Sequence, residues 1–191
     1  MSKQAKVLSA TELRRVLDYV STRPHAARNR AMLLMTFYAG LRVKEVAMLC
    51  YADVLDAEGQ IKNEFYLSAD QTKGSRTGTV LVSDKLRREL TQYVRQHPPQ
   101  SLQDRLFHTQ KRSAQGFTAN TLTQHFHHLY RRAGINGASS HSGRRTFITT
   151  LADKGVAVRV LMSLARHANI STTQAYIDVN AALQRRAVEL V

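Results

Sequence analysis

The segment from Ala26 to Ala39 sets the strongest limit on how this chain folds. Its centre, Met32-Leu-Leu-Met-Thr-Phe-Tyr38, is apolar on nearly every side of a helix. A helix that is hydrophobic all round is buried, because it has no face to turn towards water. Gly40 follows directly and is a natural stop for a helix. We therefore predict a central buried helix over this segment, with the other elements packed around it.

The rest of the chain predicts helices, except for one stretch in which the period changes. Residues 61–67 and 79–82 have the composition of strands, and the basic, glycine-bearing segment 71–78 between them is typical of a hairpin tip. Ser9 and Glu12 form a capping box, which starts a helix. The other predicted helices cover residues 9–21, 43–49, 83–96, 118–133, 142–154, 156–164, 171–177 and 181–191. The predicted fold class is mainly α with a small antiparallel β-hairpin sheet.

The charge of the chain indicates a polyanionic partner. Lys and Arg number 28 against 14 Asp and Glu, which gives a formal net charge of +14. DNA or RNA is the default partner for such an excess. An anionic membrane is the rival, but we find no strongly amphipathic basic helix to support it. No apolar run approaches the roughly 18 residues of a membrane span.

Length and cysteine content bound the organisation and the compartment. A chain of 191 residues is expected to form one domain, here 1–191, with residues 1–7 flexible. No signal peptide opens the chain, and the single cysteine, Cys50, cannot form an internal disulfide. A reducing cytoplasm fits these features.

The last quarter of the chain combines a basic cluster with a lone tyrosine. It contains His141-Ser-Gly-Arg144-Arg145, then a histidine at position 167, then Ser171-Thr-Thr-Gln-Ala-Tyr176. The planar fork of arginine suits two oxygens of a phosphate. Tyr176 follows a short polar segment, whereas Tyr38 and Tyr51 lie in apolar surroundings typical of a core. This pattern predicts phosphate chemistry with a phenol nucleophile.

These motifs resemble the tyrosine recombinases, the phage-integrase family. The likeness consists of H-x-x-R at 141–144, a histidine about two dozen residues on, and a tyrosine nine residues after that. Gly40-Leu-Arg42-Val-Lys-Glu45 and Gln71-Thr-Lys73-Gly74 match upstream, in the order of the family. The resemblance covers nearly the whole chain from about Leu8, and it implies the catalytic-domain fold of that family.

The resemblance implies a site-specific DNA recombinase or integrase that cleaves and rejoins duplex DNA through a 3′-phosphotyrosine. Tyr176 is then the nucleophile, two arginines and two histidines surround the phosphate, and Lys73 protonates the leaving 5′ oxygen. Glu45 orients Arg42. No cofactor, metal or ATP is implied, because the phosphotyrosine ester conserves the energy of the bond. The implied catalytic residues are Arg42, Lys73, His141, Arg144, His167 and Tyr176, with Glu45 in support.

The chain departs from the family pattern at two positions. Arg145 stands where a second histidine often follows the arginine, and Arg166 stands where a glycine usually precedes the histidine. A second group of histidines, at positions 125, 127 and 128, lacks further ligands at metal-binding spacing. Packed or solvated histidines are the favoured interpretation of that group.

Several alternatives remain open from the sequence. In the first, Lys73 contacts phosphate without donating a proton. In the second, the chain relaxes supercoils as a type IB topoisomerase. A non-catalytic DNA-binding regulator of the same fold is the third alternative, although a protein that only binds DNA has no need of Tyr176.

The resemblance also implies partners and a wider organisation. Members of the family commonly carry an N-terminal helical domain that closes around DNA, and this chain begins with the catalytic part. The helix-prone tail 181–191 is expected to pack into a neighbouring subunit and link a homotetramer on double-stranded DNA, or to fold back on its own domain. The implied place is the cytoplasm, on the prokaryotic nucleoid or on phage or mobile-element DNA in a bacterial host.

Overall fold

Helix α2 (Ala26–Tyr38) lies at the centre of the fold. The computed structural model describes residues 4–72, 77–109 and 116–177, together with 184, 185, 188 and 189. Residues 31–37 of α2 are all buried. Burial of each large apolar side chain stabilises the fold by about 1.5–3 kcal/mol, so α2 supplies a large share of the core. The prediction of a central buried helix is confirmed.

Helices surround α2 on several sides. It packs against α1 (Ala10–Ser21), α3 (Val43–Met48), α5 (Asp84–Gln96) and α7 (Ser142–Asp153). The other helices in the described ranges are α4 (Tyr51–Val54), α6 (Ala119–Arg132), α8 (Val158–Ala165) and α9 (Ile170–Gln174). No helix in these ranges is long and apolar enough to cross a membrane.

Two short strands form an antiparallel sheet at one edge of the helices. Strand β1 (Glu64–Leu67) pairs with β2 (Gly78–Leu81) in a register that places Glu64 opposite Leu81 and Leu67 opposite Gly78. Phe65 and Val80 face each other and are buried, so one face of the hairpin packs on the core. The predicted fold class, mainly α with a small antiparallel hairpin sheet, is confirmed.

Local hydrogen bonds explain why most helix boundaries match the prediction. The Glu12 amide donates to the Ser9 hydroxyl at 3.2 Å, and the Ser9 amide donates to the Glu12 carboxylate at 3.0 Å. Helix α4 was not predicted from the sequence. It forms where the Asp53 carboxylate accepts from the Cys50 amide at 2.8 Å, and Tyr51 is buried and donates to the His97 carbonyl oxygen at 2.6 Å.

Some predicted features fall on residues that the structure does not describe. Lys73 and the rest of the hairpin tip, residues 73–76, lie outside the described residues, as does most of the predicted tail helix 181–191. At the other end, residues 4–7 form neither helix nor strand. Lys6 in this segment nevertheless pairs with Glu12 at 2.6 Å.

Close packing between α2 and α7 brings the basic motif that follows α2 next to the basic motif at the start of α7. A Cβ at Gly143 would lie 1.9 Å from the Thr36 hydroxyl oxygen of α2, so only glycine allows α7 to come this near. Gly40 ends α2 with φ +61, in the left-handed region that glycine favours. Phe147 of α7 fills the space beside it. The first turn of α7 therefore lies beside the C-terminal end of α2, where the next segment begins with Arg42.

Candidate active site

One open pocket of about 620 Å³ gathers five of the six predicted catalytic residues. They come from the start of α3, the start of α7 and the segments that follow α8 and α9, so residues far apart in the chain meet at one place. The sixth, Lys73, lies outside the described residues. The five that line the pocket, among other residues, are Arg42, His141, Arg144, His167 and Tyr176.

Arg42 is held by Glu45 at the start of α3. The Arg42 guanidinium donates to one oxygen of the Glu45 carboxylate at 2.7 Å, and the Arg42 amide donates to the other at 2.8 Å. Glu45 is fully buried, and burial alone would raise its pKa. The guanidinium groups of Arg166 and Arg42 and the Arg42 amide outweigh burial and lower the pKa of Glu45, so the carboxylate is ionised.

Arg144 is a buried cation in the first turn of α7. Its side chain is only 4% exposed. It donates to the Gly40 carbonyl oxygen at 2.6 Å and also to the Ala165 carbonyl oxygen. Burial and the nearby Arg42 lower the pKa of Arg144 to about 9, so it remains charged at neutral pH. These contacts fix a positive group at the wall of the pocket.

His167 is uncharged at neutral pH. Burial, followed by the positive charges of Arg144, Arg42 and Arg166, lowers the pKa of His167 to about 4. Its Nδ1 lies 2.9 Å from the hydroxyl oxygen of Thr173, which is itself fully buried in α9. The imidazole is therefore oriented by a second helix, and Nε2 is the ring nitrogen available to a bound group.

The Tyr176 ring contacts both an imidazole and a guanidinium. The ring of His167 stacks on it, with centroids 5.8 Å apart and an interplanar angle of 23°. The Arg145 guanidinium carbon lies 5.4 Å from the centroid of the Tyr176 ring, a cation–π distance. Tyr176 is partly exposed, so its hydroxyl is not sealed in the core.

Sequence reasoning missed three residues that shape this site. Arg145 contacts Tyr176, Thr173 orients His167, and Arg166 pairs with Glu45 at 2.8 Å. Arg145 and Arg166 were visible as departures from the family pattern, but the pattern gave no partner for either. Nothing in the sequence distinguishes Thr173 from Thr172 beside it.

The second group of histidines does not form a metal site in the described ranges. No group of three or more His, Cys, Asp or Glu side chains there is arranged to hold a metal ion. His125 lies 2.9 Å from the side-chain oxygen of Asn29 and packs on the Phe117 ring. The interpretation of His125 as a packed histidine is confirmed.

Lowering the pH from 7 to 5 is expected to destabilise the fold partly through His167. The unfolded imidazole, with a pKa of about 6.5, takes up a proton in this range, whereas the folded imidazole does not. Since the unfolded state binds more protons, the free energy of unfolding falls as the pH falls from about 6.5 to about 4, and His167 changes it no further below that.

A matched variant isolates this contribution in urea unfolding at both pH values. His167→Gln cannot titrate, so it is expected to lose about 1 kcal/mol less than the wild type between pH 7 and 5. That value is smaller than full burial would give, because the pocket is open to solvent. Carboxylates and other histidines titrate in both proteins and cancel. An equal loss in the two proteins would contradict the assignment.

Known proteins are similar to this chain in sequence over most of its length. Residues 6–182 match the sequence model of the phage integrase family. The tyrosine recombinase XerA of Pyrococcus furiosus is 26% identical over 185 residues, which cover 96% of this chain and 61% of that protein. The tyrosine recombinase XerD of Oceanobacillus iheyensis is 29% identical over 189 residues, which cover 94% and 60%. The chain thus spans about three fifths of the length of these relatives.

Solved structures share the fold. A crystal structure of XerA recombinase superposes with a TM-score of 0.77 at 24% identity, covering 100% of this chain and 65% of the other. The Tn1549 transposon integrase in complex with a circular intermediate DNA gives a TM-score of 0.81 at 18% identity, covering 100% and 67%. At these identities the likeness establishes the arrangement of helices and hairpin.

Proposed function

Because this chain belongs to the phage integrase family, we propose that it is a site-specific DNA recombinase. It cleaves and rejoins duplex DNA through a covalent 3′-phosphotyrosine at Tyr176. The observation that carries the proposal is a pocket lined by a partly exposed tyrosine together with three arginines and two histidines. The XerA and XerD relatives bear the name of tyrosine recombinases, and the Tn1549 integrase structure contains DNA.

The phosphate of DNA fits the cationic wall of this pocket. Arg42 and Arg144 present guanidinium groups to its non-bridging oxygens, where charge redistributes as phosphorus becomes five-coordinate. When the Thr173 hydroxyl donates to Nδ1 of His167, the neutral ring carries its proton on Nε2 and donates it to a phosphate oxygen. His141, at the edge of the pocket, supplies a further donor.

Transesterification at Tyr176 balances without a cofactor. The bond from the Tyr176 oxygen to phosphorus forms while the bond from phosphorus to the 5′ oxygen breaks, and the phenol gives its proton to solvent. The leaving 5′ oxygen needs a proton, and Lys73 is its proposed source, since a general acid speeds the departure of an alkoxide. Attack by a 5′ hydroxyl on the phosphotyrosine reverses these steps and rejoins the strand.

A nicked suicide duplex tests the proposal. Cleavage next to the nick releases a short fragment, so the covalent adduct accumulates and is seen as a protein–DNA band that resists SDS. The expected result is such a band with the wild-type chain on DNA that carries its recombination site. Recombination of two marked duplexes then separates this function from relaxation of one supercoiled plasmid. Absence of any covalent band on cognate DNA would refute the proposal.

The proposed partners are double-stranded DNA and three further copies of the chain. The tail 181–191 links the protomers into a tetramer on DNA, in the cytoplasm of the host cell. Deletion of residues 181–191 is expected to leave single-site binding intact and to abolish the four-protomer complex on a native gel. Unchanged assembly of the deleted chain would remove the tail from this role.

A further inference from the structure

Arg166 has a backbone conformation that arginine rarely adopts. Its φ of 53 and ψ of 45 lie in the left-handed region, directly after helix α8. Glycine reaches this region without a steric cost, whereas a side chain does not. An arginine held here in spite of that cost indicates that its side chain makes compensating contacts.

Those contacts are polar and almost wholly buried. The Arg166 side chain is 8% exposed and donates to the Glu45 carboxylate at 2.8 Å. It also donates to the Leu164 carbonyl oxygen at 3.1 Å and to the Gly40 carbonyl oxygen at 3.4 Å. Arg166 is therefore tied to α8, to the end of α2 and to the residue that holds Arg42.

The ion pair between Arg166 and Glu45 changes the balance of charge at the pocket. Glu45 is one buried carboxylate, and without Arg166 it would form an ion pair with Arg42 only. With Arg166 on the other oxygen, two guanidinium groups pair with this single carboxylate, and Arg144 adds a third positive charge nearby. The pocket therefore keeps an excess of positive charge where a phosphate would bind.

The aliphatic part of Arg166 supports the base of the hairpin. A Cβ at Gly78, the first residue of β2, would lie 2.6 Å from Cδ and 3.1 Å from Cγ of Arg166. A Cβ essentially never lies this close to another side chain, so the Arg166 side chain can occupy this place only because residue 78 is glycine. A second pocket, of about 620 Å³, lies along this junction and is also lined by Arg42 and His167.

We propose that Arg166 is a positioning residue for DNA cleavage, which neutralises Glu45 so that the charge of Arg42 acts on the phosphate. It also fixes the base of the β-hairpin at the edge of the pocket. This inference rests on the proposed recombinase function. It assigns a role to the arginine that stands where the family usually has glycine.

Two variants separate the charge from the packing. Arg166→Gly removes both and relieves the backbone, whereas Arg166→Met keeps an aliphatic chain beside Gly78. Both are expected to slow single-turnover cleavage of saturating suicide duplex by about tenfold, less than loss of a donor that touches phosphate, while the Kd for DNA changes less than about twofold. Arg166→Lys keeps the charge and is expected to recover part of the rate. Cleavage by Arg166→Met at the wild-type rate would overturn the role of the charge.

A double-mutant cycle tests the junction with the hairpin. Gly78→Ala pushes on Arg166 and is expected to slow cleavage severalfold in the wild-type background. In the Arg166→Gly background the added methyl group meets no side chain there, so Gly78→Ala is expected to have little further effect. Fully additive effects of the two substitutions would overturn the role in fixing the hairpin.

A measurement without DNA keeps this inference distinct from the proposed function. The charge of Arg166 helps to lower the pKa of His167, so an NMR titration is expected to show a higher pKa of His167 in Arg166→Gly and in Arg166→Met. A wild-type chain that forms no covalent adduct refutes the recombinase proposal. An unchanged His167 titration in both variants refutes the placement of Arg166 charge at the pocket.

Discussion

Tyr176→Phe is expected to abolish the covalent attachment of DNA while leaving noncovalent binding intact. Phenylalanine keeps the ring that contacts His167 and Arg145 but lacks the oxygen that attacks phosphorus. Loss of the nucleophile removes the intermediate itself, so the rate of adduct formation should fall by about 10⁴-fold or more. Denaturing gels of suicide-duplex reactions measure the adduct, and a gel shift measures binding.

Tyr130→Phe is the matched control. The Tyr130 hydroxyl is buried and has no hydrogen-bond partner within the described ranges, and it lies in α6 rather than in the pocket. Its removal should leave adduct formation unchanged. An adduct that persists in Tyr176→Phe would assign the attack to another side chain and would sink the proposed mechanism.

Arg144→Ala is expected to slow cleavage by about 10²–10³-fold, because it removes a fixed donor from the transition-state charge. The same substitution leaves the carbonyl oxygens of Gly40 and Ala165 without this donor, which should cost about 1–3 kcal/mol of stability for each group that stays unsatisfied. Single-turnover cleavage measured well below the melting temperature separates the two effects.

Two further variants sharpen this experiment. Arg144→Lys keeps the charge but cannot reach two carbonyl oxygens in a planar fork, so an intermediate rate is expected. Arg14→Ala removes a positive charge from the exposed face of α1 and should leave the cleavage rate unchanged. If Arg144→Ala cleaved at the wild-type rate once folded, Arg144 would be a purely structural residue.

The parts of the fold that follow from local interactions were predictable from the sequence. The helix that begins after Ser9 depends on hydrogen bonds within four residues, and the burial of α2 depends on its own composition. The hairpin strands follow from composition in the same way. Helix α4 was missed, because it is one short turn whose stability depends on tertiary burial of Tyr51.

The residues proposed for the site follow from the resemblance of their motifs to the family, but their mutual arrangement was not predictable from the sequence. Arg144 reaches an oxygen 104 residues away at Gly40, and Arg166 pairs with Glu45 across 121 residues. Such contacts depend on how α2, α7 and α8 pack, which no local pattern encodes. The contact between Arg145 and the Tyr176 ring was not predictable for the same reason, because the two residues lie in separate motifs and meet only in the folded chain.

The hydrogen bonds of Arg144 join the end of α2 to the end of α8, elements from opposite halves of the chain. A nascent polypeptide that has emerged only as far as α7 has the guanidinium but lacks its second carbonyl, as well as the histidine and tyrosine that follow. The five pocket residues can therefore come together only after α8 and α9 have been synthesised. The proposed cleavage activity therefore requires that α8 and α9 are present, and a nascent chain that ends at α7 would lack it.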